Sequence, residues 1–150
     1  MKTMSMKWAL LVIVSGGILL FSCKKDKSAD NGSSCSKTLA GLSGSYKLIA
    51  AQYRSSATAT PVDYYAQMEA CEKDDILTLK SDGTYQYSDA GTPCTDQATD
   101  HGTWQVSGNT LTSDGVLHGT IGSYDCKTLV YYIDNALTIG DRITFTMVRQ

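Results

Sequence analysis

Five cysteines, Cys23, Cys35, Cys71, Cys94 and Cys126, are the most reactive side chains in this 150-residue chain. Thiols either bind zinc or pair as disulfides, and spacing separates the two outcomes. Zinc sites bring their ligands in close sequence pairs. Here no two cysteines form a CxxC, and only His101 and His118 are available to join them. Cys35, Cys71, Cys94 and Cys126 are therefore read as disulfide partners, an assignment that export to an oxidising compartment favours independently. Of three possible connectivities, Cys71–Cys94 with Cys35–Cys126 is favoured. The first bridge would clamp an irregular stretch around residues 61–73 onto the loop that follows Tyr85. Other groups point to no reaction. No motif sets a nucleophile beside His101 or His118, and Glu69, Glu72, Asp74 and Asp75 read as the acids of a solvated loop. Asp74, Asp75 and Asp82 lack the DxDxDG spacing of a calcium loop. No phosphate-cradling glycine loop is present, so no cofactor, metal or catalytic residue is expected and the chain reads as a non-enzyme. A formal charge of −2 excludes a strongly basic nucleic-acid footprint.

Cys23 stands apart because of what precedes it. Lys2 and Lys7 make a short basic start, and Trp8 to Phe21 is an uncharged, mostly apolar run of 14 residues. A membrane-spanning helix needs about 20 such residues, so this run reads as a secretory signal rather than a span. It ends in Leu20-Phe21-Ser22-Cys23, followed by Lys24, Lys25, Asp26 and Lys27. This resembles the lipobox of bacterial lipoprotein precursors, with a leucine three positions before the cysteine and a small residue just ahead of it. The resemblance implies cleavage after residue 22 and diacylglycerol on the Cys23 thiol. Acyl chains stabilise membrane attachment by about 0.8 kcal/mol per buried CH₂, so two or three form a durable anchor. The expected location is the cell envelope, with the lipid in the outer membrane and the membrane face left open. Removal of residues 1–22 takes away two lysines and no acid, so the mature chain is more acidic than the precursor.

The elements that position the remaining groups are short strands. Residues 23–40 hold the lipidated cysteine and a polar stretch, Lys24 to Ser36, with no apolar periodicity, read as a flexible tether. From Gly44 the pattern has period two, with Tyr46, Leu48 and Ala50 alternating with Lys47, Ile49 and Ala51. Ile76 to Lys80 runs through Ser81-Asp82-Gly83 into Thr84 to Tyr87, and Asp-Gly between β-rich runs marks a hairpin. Thr103 to Val106, Thr110 to Thr112, Val116 to Ile121, Lys127 to Ile133 and Arg142 to Val148 complete eight candidate strands. Only Pro61 to Lys73 breaks the pattern, as a short helix capped by Asp63 or a loop with one helical turn. The whole reads as an all-β barrel or sandwich spanning residues 41–150.

Three blocks carry a family resemblance. Gly44-Ser45-Tyr46-Lys47-Leu48, the stretch Cys71-Glu72-Lys73-Asp74-Asp75 through Asp82-Gly83-Thr84-Tyr85, and Gly102-Thr103-Trp104-Gln105-Val106-Ser107-Gly108-Asn109-Thr110-Leu111 resemble the bacterial lipocalin-like domain family. Cys94 matches that family's second cysteine. Tyr46 stands where the family usually has Trp and Leu79 where it often has Phe, both keeping the apolar character. The resemblance extends from Leu42 to Arg149 and implies an eight-stranded antiparallel, up-and-down barrel.

An eight-stranded barrel is either filled by its own side chains or holds one small ligand. The expected inward stripe is Tyr46, Leu48, Leu77, Leu79, Tyr85, Tyr87, Trp104, Val106, Leu129, Tyr131, Ile143, Phe145 and Met147. Tyr46, Tyr85, Tyr87, Trp104 and Tyr131 are the candidate ligand-binding residues, because their rings offer an apolar body with a polar tip. Two functional readings follow. One is a membrane-tethered module that binds a small, partly apolar molecule. The other is an envelope structural or protein-interaction module with a filled barrel and its activity on exposed loops, Ser55 to Glu72 above all.

Overall fold

The computed structural model describes residues 35–94 and 100–150. Residues 1–22, read above as a secretory signal, Cys23 and the chain as far as residue 34 lie outside the described residues. A short helix, α1 (Leu39–Leu42), precedes nine strands: β1 (Gly44–Arg54), β2 (Val62–Asp63), β3 (Ile76–Leu79), β4 (Thr84–Ser88), β5 (His101–Ser107), β6 (Thr110–Ser113), β7 (Leu117–Tyr124), β8 (Thr128–Asp134) and β9 (Arg142–Arg149). Every strand from β3 to β9 pairs antiparallel with its sequence neighbour, β1 pairs with β3, and β9 returns to β1. The result is a closed eight-stranded up-and-down barrel. β2 is an extra strand, attached to the outer end of β1 through Gln52 and Tyr53.

Local chemistry places the turns. Gly83 takes φ 84°, and its N–H bonds the Lys80 carbonyl at 3.1 Å, closing the β3–β4 hairpin. Asp114 and Gly115 both sit at positive φ, the conformation that a tight two-residue hairpin needs and that Asp-Gly accepts at low cost. The alternation of β1 does not run through unbroken. A bulge between Leu48 and Ala50 leaves Ile49 as an extra residue on the outside. A bulge inserts one residue against its partner strand and so reverses the facing of everything after it. Ala51 is therefore fully buried, where an unbroken alternation from Tyr46 and Leu48 would have turned Ala50 inward.

Residues 35–40, the described end of the segment read as a tether, fold before β1. Thr38 caps α1 by accepting from the Gly41 N–H at 3.1 Å, and Ser43 ends it by returning its N–H to the Leu39 carbonyl at 3.0 Å. Leu42 is fully buried and Leu39 packs against the same cluster. Residues 35–42 thus belong to the fold, because two leucines three apart give one turn of helix an apolar face. Residues 61–73 take the looser of their two expected forms, β2 and a 3₁₀ turn at Tyr65–Gln67. Tyr64 is the N-cap of that turn, and the carboxylate of Asp63, one residue earlier, accepts from the Ala66 N–H at 3.0 Å.

The main apolar cluster joins Leu42, Tyr46, Leu77, Leu79, Trp104, Leu111, Ile121, Leu129 and Met147. Leu111 and Ile121 were not in the inward stripe expected from sequence, although both lie on expected strands. The disulfides join Cys35 to Cys126 and Cys71 to Cys94, one at each end of the barrel.

Candidate ligand-binding site

The barrel has a sealed end and a hollow end. At the sealed end, α1 and the 80–83, 107–109 and 125–127 turns converge. Trp104 is 3% exposed and donates its indole N–H to the Lys80 carbonyl at 2.9 Å. The Tyr46 hydroxyl donates to the Leu42 carbonyl at 2.8 Å, and Tyr124 donates to the Gly41 carbonyl at 2.8 Å. The Arg149 guanidinium reaches the Gly41 and Ser43 carbonyls and the Tyr46 hydroxyl at 2.9, 2.6 and 3.1 Å. Burial, reinforced by the Tyr124 hydroxyl and opposed by Arg149, pushes the Tyr46 phenol up to about 12. Cys35–Cys126 ties the start of the fold to the β7–β8 turn at this end. Buried polar groups with partners cost little, whereas the same groups without them would be expensive.

Two cavities open beyond this seal. The first, about 210 Å³, is lined by Tyr46, Leu48, Met68, Glu72, Asp75, Leu77, Tyr87, Tyr131, Phe145 and Met147. The second, about 200 Å³, is lined by Leu77, Leu79, Tyr85, Tyr87, Asp100, Leu111, Ser113, Asp114, Val116, Leu117, Leu129, Tyr131 and Met147. Leu77, Tyr87, Tyr131 and Met147 line both and so form the wall between them. Tyr131 stacks on Phe145 with ring centroids 5.1 Å apart, which holds the partition on the β8–β9 side.

Carboxylates and burial both act on the tyrosines at this end. Burial first, then the charges of Asp75 and Asp100, raises the Tyr87 phenol above its usual range. Burial also raises Tyr131, with Tyr87 adding to the effect. Tyr85 is raised chiefly because its hydroxyl donates to Asp114 at 2.7 Å. The same carboxylate accepts the Thr103 N–H at 2.8 Å, the main cause of its own lowered pKa. This bond passes close over β5 at Gly102, where a Cβ would collide with the Asp114 carboxylate and the Tyr85 ring.

A lid segment closes part of the mouth. Cys71–Cys94 fastens the 55–75 excursion to the loop after β4, and Asp74 accepts the Thr92 N–H at 3.1 Å beside it. The fastening carries Met68, Glu72 and Asp75 into the cavity lining. Asp75, expected in a solvated loop, is 8% exposed, because the bridge folds its segment back over the barrel. Carboxylate oxygens of Asp74, Asp75 and Asp89 lie within 4.8 Å of one another. Glu69 lies beside Cys71 and Cys94, but a disulfide leaves those sulfurs no thiolate to offer a metal.

The geometry is that of a barrel with a ligand-sized interior, and sequence comparison agrees. The model of the lipocalin-like domain family matches residues 42–146. The chain belongs to the lipocalin-like domain family. No curated protein matches it.

Within this lipocalin-like barrel, the five candidate ligand-binding residues separate. Tyr46, Tyr87 and Tyr131 share the first cavity, while Tyr85, Tyr87 and Tyr131 share the second. Trp104 lines neither and packs into the seal. His118 bonds Thr112 through Nδ1 at 3.0 Å, and His101 lies exposed at the start of β5. Sequence reasoning missed Asp75, Glu72, Asp100 and Asp114 as lining groups. The signal that could have found Asp75 was its place four residues after Cys71, the candidate bridging cysteine.

Proposed function

We propose that this protein is a binding module that takes a small, partly apolar molecule into the hollow end of its barrel. The observation that carries the reading is the pair of adjoining cavities, walled by Tyr87, Tyr131, Leu77 and Met147. Side chains that pack to interior density leave few voids larger than a water molecule, so an unfilled aromatic interior favours a ligand over a filled scaffold. The proposal includes a lipid anchor on Cys23 and residence in the cell envelope, at the outer membrane. The Leu20-Phe21-Ser22-Cys23 junction behind a short apolar run supports it.

Native mass spectrometry of protein purified from its own host tests the binding reading. A retained small molecule is expected, and a clean apo mass under gentle conditions overturns it. Cys23→Ser tests the anchor: unprocessed precursor without labelled palmitate is expected, and unchanged labelling refutes it.

A second reading, a protein-interaction module, draws on the rim. Val116, Leu117, Leu137 and Ile139 are exposed on two neighbouring turns at the open end, Ile139 at 97%. Crosslinked partners that vanish when residues 55–72 are deleted would favour it, and an unchanged partner set would remove it.

A further inference from the structure

We propose that the hollow end takes a compact neutral molecule, the size of a single substituted ring, carrying a carbonyl-type oxygen. The Tyr131 hydroxyl donates to that oxygen, and Tyr87 is a second donor. This rests on the ligand-binding reading above and narrows it to one chemical class.

Four tyrosines line the two cavities, and their hydroxyls divide into two kinds. Tyr46 donates to the Leu42 carbonyl and Tyr85 to Asp114, so both are engaged within the fold. The hydroxyls of Tyr87 and Tyr131 bond to no group among the described residues, and burial is the chief cause that raises both phenols. These two side chains also border both cavities. Tyr131 stacks on Phe145 at 5.1 Å, and Tyr87 packs edge-on to Tyr85 at 6.4 Å, so both rings are held in place. Phenylalanine would fill the same space without stripping a hydroxyl of its water. A buried hydroxyl left without a partner costs about 1–3 kcal/mol. The partner that Tyr87 and Tyr131 lack is one that a ligand can bring.

Size and charge narrow what that ligand is. The cavities measure about 210 and 200 Å³. A dry cavity of about 150 Å³ holds benzene, whereas drug-sized ligands need roughly 300 Å³ or more. One ring with a short substituent therefore fits, and a long acyl chain does not fit within either chamber. A phenol donates better than it accepts, because its oxygen shares a lone pair with the ring. The ligand oxygen is thus an acceptor, as in a ketone, aldehyde, ester or amide. An anionic acceptor is opposed by the same charges, those of Asp75 and Asp100, that raise Tyr87. Leu48, Leu77, Phe145 and Met147 cover the apolar body.

Three compounds of one ring size test the idea: acetophenone, ethylbenzene and benzoate, titrated into the purified full chain at neutral pH and followed by NMR of the tyrosine rings. Acetophenone is expected to bind about fivefold or more tighter than ethylbenzene, the worth of one net hydrogen bond, and tighter than benzoate. Tyr131→Phe, which keeps the ring, is expected to bring acetophenone to within about twofold of ethylbenzene and to leave ethylbenzene unchanged. Tyr87→Phe gives a smaller loss in the same direction. A para-octyl derivative of acetophenone is expected to bind no tighter than acetophenone itself. Ethylbenzene or benzoate binding as tight as acetophenone overturns the neutral-acceptor assignment and leaves the binding reading standing. An advantage of acetophenone that survives both substitutions overturns the assignment to these hydroxyls, and a tighter octyl derivative overturns the size limit. If none of the three binds while protein from its own host retains another molecule, the chemical class falls alone. If none binds and that protein is apo, both readings fall together.

Discussion

The two ends of the barrel are built from the same strands, yet they solve opposite problems. At the sealed end Tyr46, Trp104, Tyr124 and Arg149 aim their polar atoms at backbone carbonyls, and Leu42 fills the remaining space. At the hollow end Tyr87, Tyr131 and Phe145 stand around space they do not fill, beside the carboxylates of Glu72, Asp75, Asp100 and Asp114. Aromatic content does not separate the ends. What separates them is whether a second layer of chain, α1 at one end and the 55–75 excursion at the other, plugs the barrel or merely roofs it. A plug contributes stability, while a roof over a void gives up packing in exchange for access.

The largest expected effects come from the bridges. Replacing Cys35 and Cys126 by Ser opens a loop of 91 residues, and the chain-entropy model gives a loss of about 4.5 kcal/mol. Replacing Cys71 and Cys94 opens one of 23 residues, for about 3.5 kcal/mol. Chemical denaturation should rank them in that order, yet only the second pair should weaken ligand binding. Equal weakening by both would erase the functional distinction between the ends. Next comes Ile121→Ala, at a site 1% exposed, which should cost about 3 kcal/mol. Tyr131→Phe should cost less than about 1 kcal/mol while altering ligand affinity. A cost for Tyr131→Phe that rivals Ile121→Ala would mean that the hollow end is structural after all.

The smallest effect is alkaline. The Tyr46 phenol is raised from 10.0 to about 12 in the folded protein, so its contribution is fully present below pH 10. That contribution is lost as pH climbs from 10 through about 12, and thermal unfolding followed across this window should show Tm falling. Tyr46→Phe should remove part of the fall. The remainder belongs to Tyr85, Tyr87 and Tyr131, whose phenols are also raised. A fall untouched by Tyr46→Phe would place the alkaline weakness entirely at the open end.

The sealed end was the more legible in sequence. Asp82-Gly83 and Ser107-Gly108 announce turns through a residue that tolerates positive φ, and the alternation between them sets which side chains point inward. All eight barrel strands follow from such local signals. The bulge at Ile49 does not, since an inserted residue carries no mark of its own and only pairing with β9 reveals it. Trp104 looked as suitable for a ligand as Tyr131, because facing inward is a property of the strand while depth along the axis is set by register. Asp75 looked solvated for a related reason. Its burial comes from a covalent tie to a loop about twenty residues away, and composition near Asp75 says nothing about where that tie folds the chain.

The Cys35–Cys126 bridge also decides how the domain bears load. Tension on the chain upstream of Cys35 does not pull α1 away from the barrel one turn at a time. It passes through the bridge into the β7–β8 hairpin, whose strands are bonded on both sides within the closed barrel. The Leu42 plug then stays seated under pulling that would otherwise peel it first, so the point where the chain enters the fold acts as its strain relief.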